Sequence, residues 1–190
     1  MQKAVPVGVG AMAALLGLDF EAAEAVAKEA AEGEVCQAAN DNDPGQVVVS
    51  GHAAAVNRAI ALAKEKGAKR AVLLPVSAPF HCALMRPAAD AMAEALAGQT
   101  IAPPRRPVVA NVTAQGESDP ETIRRLLVDQ VTATVRWRES ILWMRDQGVS
   151  EVVELGAGKV LTTMLKRIDR DMKGAAAGEP AEIEALLRAI

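Results

Sequence analysis

Glycines divide the first 75 residues into six short segments, and this spacing limits the possible folds more than any other feature of the sequence. Apolar or β-branched segments predict strands, and alanine-rich segments with one apolar face predict helices. The predicted strands are Val9–Leu16, Glu34–Asn40, Gln46–Ser50 and Ala71–Pro75, and the predicted helices are Phe20–Glu32 and Ala53–Lys66. The order strand, helix, strand, strand, helix, strand is typical of a ferredoxin-like module.

The second half of the chain alternates between helix and strand patterns, which favours an α/β fold with a parallel sheet. The predicted helices are Leu84–Ala97, Pro120–Gln130, Trp137–Gln147, Lys159–Ile168 and Pro180–Ile190, and the predicted strands are Val108–Val112 and Glu151–Leu155. We predict no strand in the Gly- and Ala-rich stretch after Gly174. Two strands make too small a sheet to stand alone, so we expect that sheet partners are missing from this part of the sequence.

The overall composition excludes several functional classes. A net charge of −3 and a pI near 5.5 argue against a dedicated nucleic-acid-binding protein. Two cysteines do not make a disulfide framework, and they fit a reducing compartment. No apolar run approaches the roughly 20 residues of a membrane span. We therefore expect a cytoplasmic protein without nucleic-acid or membrane partners.

Two glycine-containing segments resemble cofactor-binding loops. Gly8–Ala13 has the spacing of a dinucleotide fingerprint, but Gly17 breaks the helix that should follow it. Glu154–Gly158 resembles the first loop of a methyl-donor-binding domain, although only about thirty residues remain to build the rest of that fold. We interpret the first segment as a flexible entry into a strand and the second as a tight strand-to-helix turn, and we expect no cofactor. A methyl-donor enzyme stays open as an alternative, which ligand-induced thermal stabilisation would test.

The chain has two histidines, and His81 is the candidate for catalysis. It lies in a proline-bounded loop where a predicted strand meets a predicted helix, and such loops often carry catalytic residues. His52 stands at a predicted helix start and is interpreted as an exposed residue or a weak cap. Cys82 adjoins His81 but should not face it, and the His and Cys spacing does not fit a metal site. No Gly-x-Ser-x-Gly motif occurs, so the sequence holds a base without a nucleophile.

Six segments, read in chain order, resemble the malonyl-CoA:acyl carrier protein transacylase family, an acyltransferase family of fatty acid synthesis. They include AN-x-N-x-PGQ-V-V-x-SG and PFH-x-x-LM, the two most specific ones. The segments are 1–19, 36–51, 74–90, 107–114, 126–141 and 152–168. The resemblance is to the C-terminal part of the family, and it covers nearly the whole chain.

The resemblance implies an architecture and a set of site residues. Residues 6–77 would form a ferredoxin-like small subdomain, and residues 78–190 the C-terminal part of an α/β-hydrolase-like large subdomain. His81 would be the general base that activates a serine, and the backbone carbonyl of Gln130 would orient its ring. Asn40 and Asn42 would line the small-subdomain side of the cleft and contact substrate.

The resemblance also implies a reaction and its partners. Members transfer a malonyl group from malonyl-CoA, through a serine ester, to the phosphopantetheine thiol of acyl carrier protein. The sequence lacks the family's GHS-x-GE serine elbow, its oxyanion segment and the arginine that pairs with the malonyl carboxylate. We therefore expect the chain alone to be inactive. The alternative is a non-catalytic carrier-protein-binding fragment, for which the basic residues are Lys159, Lys166, Arg167 and Arg170.

Overall fold

The computed structural model describes Met1 and residues 3–189, which divide into two units. The first unit comprises residues 1–140 and the second residues 141–190. The predicted subdomain boundary between residues 77 and 78 lies inside the first unit and stays a prediction.

A four-stranded antiparallel sheet with two helices forms the main core of the first unit. The elements are β1 (Gly10–Leu16), α1 (Phe20–Ala31), β2 (Cys36–Asp43), β3 (Gln46–His52), α2 (Ala53–Glu65) and β4 (Arg70–Leu73). The strands lie in the order β2-β3-β1-β4. The order of elements predicted from the sequence is the order found. Leu15, Val26, Val49 and Val56 are completely buried in the core between the sheet and the helices.

Local chemistry explains where these elements begin and end. The Asp19 side chain accepts a hydrogen bond of 2.8 Å from the Ala22 N–H, which caps α1 as predicted. The helix ends at Glu32, whose φ of 46° is left-handed. β3 passes so close to the start of β2 that a Cβ at Gly51 would lie 1.9 Å from the Val35 oxygen. Only glycine fits there.

The rest of the first unit contains the loop of His81 and the turn after Gln130. A 3-10 turn (Ala83–Met85) leads into α3 (Arg86–Ala97), which is followed by β5 (Val108–Ala110), β6 (Gln115–Glu117) and α4 (Pro120–Asp129). A further helix, α5 (Trp137–Asp146), includes the division between the two units. β5 pairs antiparallel with β6, which was not predicted, and a parallel partner for β5 is not found among the described strands.

The second unit contains a parallel pair of strands and two helices. They are β7 (Glu151–Leu155), α6 (Val160–Ile168), β8 (Lys173–Ala177) and α7 (Pro180–Ala189). β7 pairs in parallel with β8, a strand that the sequence analysis did not predict. No helix in the described part of the chain has the length and apolar character needed to span a bilayer.

The Glu154–Gly158 segment is a strand-to-helix turn, as interpreted from the sequence. The Glu154 carboxylate accepts hydrogen bonds from the Thr162 N–H at 2.8 Å and the Leu161 N–H at 3.2 Å. These bonds lower the pKa of Glu154 and satisfy donors in the first turn of α6. The acidic residue of this motif therefore caps a helix.

Candidate active site

An apolar cluster brings the His81 loop to the end of α4. Its buried members are Val5, Ala78, Met85, Ala88, Ala89 and Val131, and Phe80, Leu84 and Val128 pack against them. Ala78 and Phe80 belong to the loop, whereas Val128 and Val131 flank Gln130. We call this set the loop cluster. Its packing holds His81 against a residue 49 positions later in the chain.

The imidazole of His81 contacts the backbone carbonyl of Gln130. The Nδ1 atom lies 3.0 Å from the Gln130 oxygen. A carbonyl oxygen only accepts, so Nδ1 must be the protonated nitrogen of the pair. The lone pair of the neutral ring is then on Nε2, which has no hydrogen-bond partner among the described residues. The half-buried ring is thus oriented to accept a proton from a group placed at Nε2.

The backbone of His81 adopts a left-handed conformation, with φ at 59°. An L-residue with a Cβ is strained by roughly 1–2 kcal/mol in this region. Such strain persists where surrounding packing fixes the chain, and it is concentrated at functional sites. The loop cluster supplies that packing here.

Substitutions at position 81 should report this strain. We expect His81→Gly to be more stable to urea than His81→Ala by about 1 kcal/mol, because glycine adopts positive φ without a steric penalty. The control is Ala61→Gly on the exposed face of α2, where glycine should be less stable than alanine by about 1 kcal/mol. A glycine variant at position 81 that is less stable than the alanine variant would contradict the left-handed conformation.

Strand β2 is hydrogen-bonded to the turn after Gln130 and to the loop after His81. The Thr134 hydroxyl donates to the Ala38 oxygen at 2.7 Å. The Val135 N–H donates to the Ala39 oxygen at 2.8 Å. On the other side, the Ala83 N–H donates to Gln37 Oε1 at 2.7 Å. The turn after Gln130 and the loop after His81 are therefore attached to one rigid strand.

A buried ion pair strengthens this attachment. The Asp41 side chain is 2% exposed, and its Oδ2 lies 2.8 Å from Nη2 of Arg138. Nε of Arg138 is 3.0 Å from each Asp41 oxygen. The hydrogen bonds to Asp41 raise the pKa of Arg138, so the guanidinium stays charged. The pair joins β2 to the start of α5, and the sequence analysis did not identify it.

The side chain of Gln130 is also held. Nδ2 of Asn111 donates to Gln130 Oε1 at 2.8 Å. Asn111 directly follows β5 and is half-buried. The sequence analysis assigned a role only to the Gln130 carbonyl, and it left Asn111 without one.

The predicted substrate-contacting residues lie on β2. Asn40 and Asn42 are half-buried, and Asn40 forms a bridge with Val135 beside the turn after Gln130. The structure thus places Asn40 beside the segment that follows the predicted orienting residue. The roles of Asn40 and Asn42 in substrate binding stay predictions, as do the catalytic roles of His81 and Gln130.

The remaining candidates from the sequence have structural explanations. His52 Nδ1 accepts a hydrogen bond of 2.9 Å from the Val35 N–H, so this ring joins β3 to β2 and does not cap α2. Burial raises the pKa of Cys36 to about 11 and also raises that of Cys82, which disfavours a thiolate at either position. Gly10 begins a strand and not a helix, so Gly8–Ala13 lacks the geometry of a dinucleotide loop. No cluster of three or more potential ligands for a metal ion occurs in the described residues.

Comparison with known proteins assigns the chain to a family. The chain belongs to the acyl transferase domain family, whose model matches residues 1–187. It is 49% identical to the malonyl CoA-acyl carrier protein transacylase of Escherichia coli K12 over 98% of this chain and 60% of that protein. The identity to the Bacillus subtilis transacylase is 44%, over 100% of this chain and 60% of that protein. The chain thus spans about 60% of the length of these relatives.

Solved structures agree with this assignment. The acyl-carrier-protein S-malonyltransferase from Bartonella henselae is 54% identical and superposes with a TM-score of 0.94, over 99% of this chain and 60% of that one. A malonyl-transacylase in complex with a type II polyketide synthase acyl-carrier protein is 44% identical with a TM-score of 0.95, over 100% of this chain and 61% of that one. The α/β fold of the chain therefore matches that of malonyltransferases.

Proposed function

We propose that this chain supplies the general-base half of a malonyl-CoA:acyl carrier protein transacylase. The observation that carries the proposal is the 3.0 Å contact between His81 Nδ1 and the Gln130 oxygen in a chain of the acyl transferase family. The relatives named above support malonyl as the group transferred and acyl carrier protein as its acceptor.

The contact supports a specific role for each residue. The Gln130 carbonyl keeps the proton on Nδ1, as an aspartate does in the Ser-His-Asp triad. Nε2 then removes the proton from a serine as the serine attacks the thioester, and passes this proton to the sulfur of the leaving CoA. Nε2 later removes the proton from the pantetheine thiol as the thiol attacks the serine ester, and returns this proton to the serine oxygen. The sequence contains no Gly-x-Ser-x-Gly motif, so the nucleophile in this proposal comes from outside these 190 residues.

The proposal also assigns the subdomains. Residues 6–77 would be the ferredoxin-like small subdomain, which the sheet order β2-β3-β1-β4 and the two helices α1 and α2 support. Residues 78–190 would be the C-terminal part of the large subdomain. Asn40 and Asn42 on β2 would then face the cleft from the small-subdomain side.

A chimera tests the proposal. The part of the E. coli transacylase that lies outside the matched region is joined to this chain, and malonyl transfer from malonyl-CoA to carrier protein is measured. We expect transfer by the chimera and none by the 190-residue chain alone. Serine-acylated protein formed by the chain alone would contradict the proposal.

A second candidate function is carrier-protein binding without catalysis. Lys166, Arg170 and Lys173 line one hollow in the second unit, together with Met172 and Gly174. Clustered cations of this kind favour an acidic partner. One relative of known structure is bound to an acyl-carrier protein, which makes a carrier protein the partner to test.

Titration with labelled carrier protein tests this candidate. We expect the chain to bind at low salt, with an affinity that falls as salt screens the charges. The double variant Lys166→Glu/Arg170→Glu should bind at least about tenfold more weakly, because the charge of the hollow is reversed. Lys64→Glu on the exposed face of α2 is the matched control and should bind as the unmodified chain does. No binding at low salt ends this candidate.

A further inference from the structure

Asn111 occupies a fixed position beside the predicted catalytic contact. It begins the turn between β5 and β6, and the Ala114 N–H closes that turn on the Ala110 oxygen at 2.8 Å. Ala114 itself is buried, with a left-handed φ of 53°. The only side-chain hydrogen bond of Asn111 among the described residues is the one to Gln130 Oε1, at 2.8 Å. A well-fixed amide therefore holds the side chain of the residue whose carbonyl meets His81.

In the described part of the chain, the oxygen of Gln130 accepts only a long hydrogen bond from the backbone. Gln130 is the C-cap of α4, and the last carbonyls of a helix lack partners within it. Its only backbone partner among the described residues is the Ala133 N–H, at 3.4 Å. This distance is longer than that of a normal hydrogen bond. The Val131 N–H, which belongs to the same peptide plane, donates to the Val128 oxygen at 3.1 Å. The direction of the carbonyl is therefore set by this bond together with contacts outside the helix.

We propose that Asn111 is a positioning residue for the imidazole of His81. By holding the Gln130 side chain, Asn111 keeps the Gln130 carbonyl directed at Nδ1 and so favours the tautomer with the lone pair on Nε2. The catalytic meaning of this inference rests on the proposed function. The positioning itself does not, since it is a property of the chain alone.

The tautomer of His81 is measured by nitrogen NMR of the ¹⁵N-labelled 190-residue chain, at a pH where both imidazoles are neutral. We expect Asn111→Ala to lower the ratio of the Nδ1-protonated to the Nε2-protonated form of His81 roughly fivefold. This is the change in an equilibrium constant that corresponds to the free energy of one net hydrogen bond. His52 is an internal control: its Nδ1 accepts from Val35, so its signals should stay those of the opposite tautomer. Asn57→Ala on the exposed face of α2 is the matched amide control and should leave His81 unchanged.

Replacing the amide side chains of Asn111 and Gln130 with acids distinguishes a positioning role of Asn111 from a packing role. In Gln130→Glu, the carboxylate still accepts from Asn111, and in Asn111→Asp the Gln130 amide rotates and donates, so each single variant should keep the tautomer. The double variant Asn111→Asp/Gln130→Glu places two carboxylates, both acceptors, next to each other. Their hydrogen bond is lost, and the preference of His81 for the Nδ1-protonated tautomer should be lost with it. All four side chains have similar volumes, so a packing role alone would not produce this pattern.

Two results overturn the inference: an unchanged tautomer in Asn111→Ala, or an unchanged tautomer in the double-acid variant. If Asn111→Ala unfolds, as the His52 signals would show for the sheet and the backbone amide signals of residues 78–85 for the loop, the acid series decides. The outcome is independent of the chimera assay. An inactive chimera with the expected tautomer changes rejects the proposed function and keeps the positioning role. An active chimera with an unchanged tautomer in the variants keeps the proposed function and rejects the positioning role.

Discussion

Replacing His81 with alanine in the chimera should lower malonyl transfer about a thousandfold or more. General-base catalysis alone contributes roughly 10²–10⁴ in rate. Loss of the residue that activates a nucleophile has cost up to about 10⁶ in a serine hydrolase. The effect should appear in the formation of the serine ester, because Nε2 removes the serine proton in that step of the proposed mechanism. Rapid quench of the enzyme with labelled malonyl-CoA measures the step directly.

Gln130→Ala in the chimera is the informative comparison. The carbonyl that contacts His81 belongs to the backbone and survives this substitution, whereas the bond to Asn111 is lost. We expect the rate of malonyl transfer to fall roughly tenfold or less, because the free energy of one net hydrogen bond corresponds to a factor of this size. Equal losses in the two variants would mean that the carbonyl does not orient the ring.

Removing Arg138 should be the most destabilising single change in the first unit that we predict. Arg138→Met leaves the buried Asp41 carboxylate without its partner, and breaking a buried ion pair in this way costs about 3–5 kcal/mol. The free energy of unfolding from urea denaturation, followed by circular dichroism, measures the change. Because the pair joins β2 to the start of α5, the turn after Gln130 should also loosen.

The order of effects within this pair is a sharper test. Asp41→Leu should cost less than Arg138→Met, since the Arg138 side chain is 27% exposed and can reach water, whereas that of Asp41 is only 2% exposed. The half-exposed pair between Lys66 and Glu29 provides a control in the same unit, and Glu29→Gln should cost under about 1 kcal/mol. A loss that small in Arg138→Met would show that the pair contributes no more than a surface contact.

The elements of the sheet could be predicted because local signals agree there. The spacing of the glycines, the Asp19 cap and the apolar or β-branched segments all indicate the same order of strands and helices, which the structure confirms. The strands β6 and β8 were missed because their sequences, QGE and KGAAA, have low strand propensity. Pairing with a neighbouring strand determines both of them, and pairing partners are not visible in a local pattern.

The candidate site could be predicted only in part. His81 stood out because its loop is proline-bounded and irregular, but Gln130, Asn40 and Asn42 were proposed only from the family resemblance. Asp41 and Arg138 are 97 positions apart, and no periodicity relates two charges at that separation. The left-handed backbone of His81 also left no signal, since glycine, the residue that usually marks such a conformation, is absent there.

The loop cluster is small and built mostly from alanine and valine, and its small size affects how the imidazole loop responds to heat. Each buried methylene contributes about 0.8 kcal/mol, so small side chains hold the imidazole loop with little energy to spare. The sheet and its helices have a separate and larger core. Warming should therefore release the histidine from its carbonyl while the sheet remains folded, and in the chimera the loss of malonyl transfer should precede the melting of the sheet.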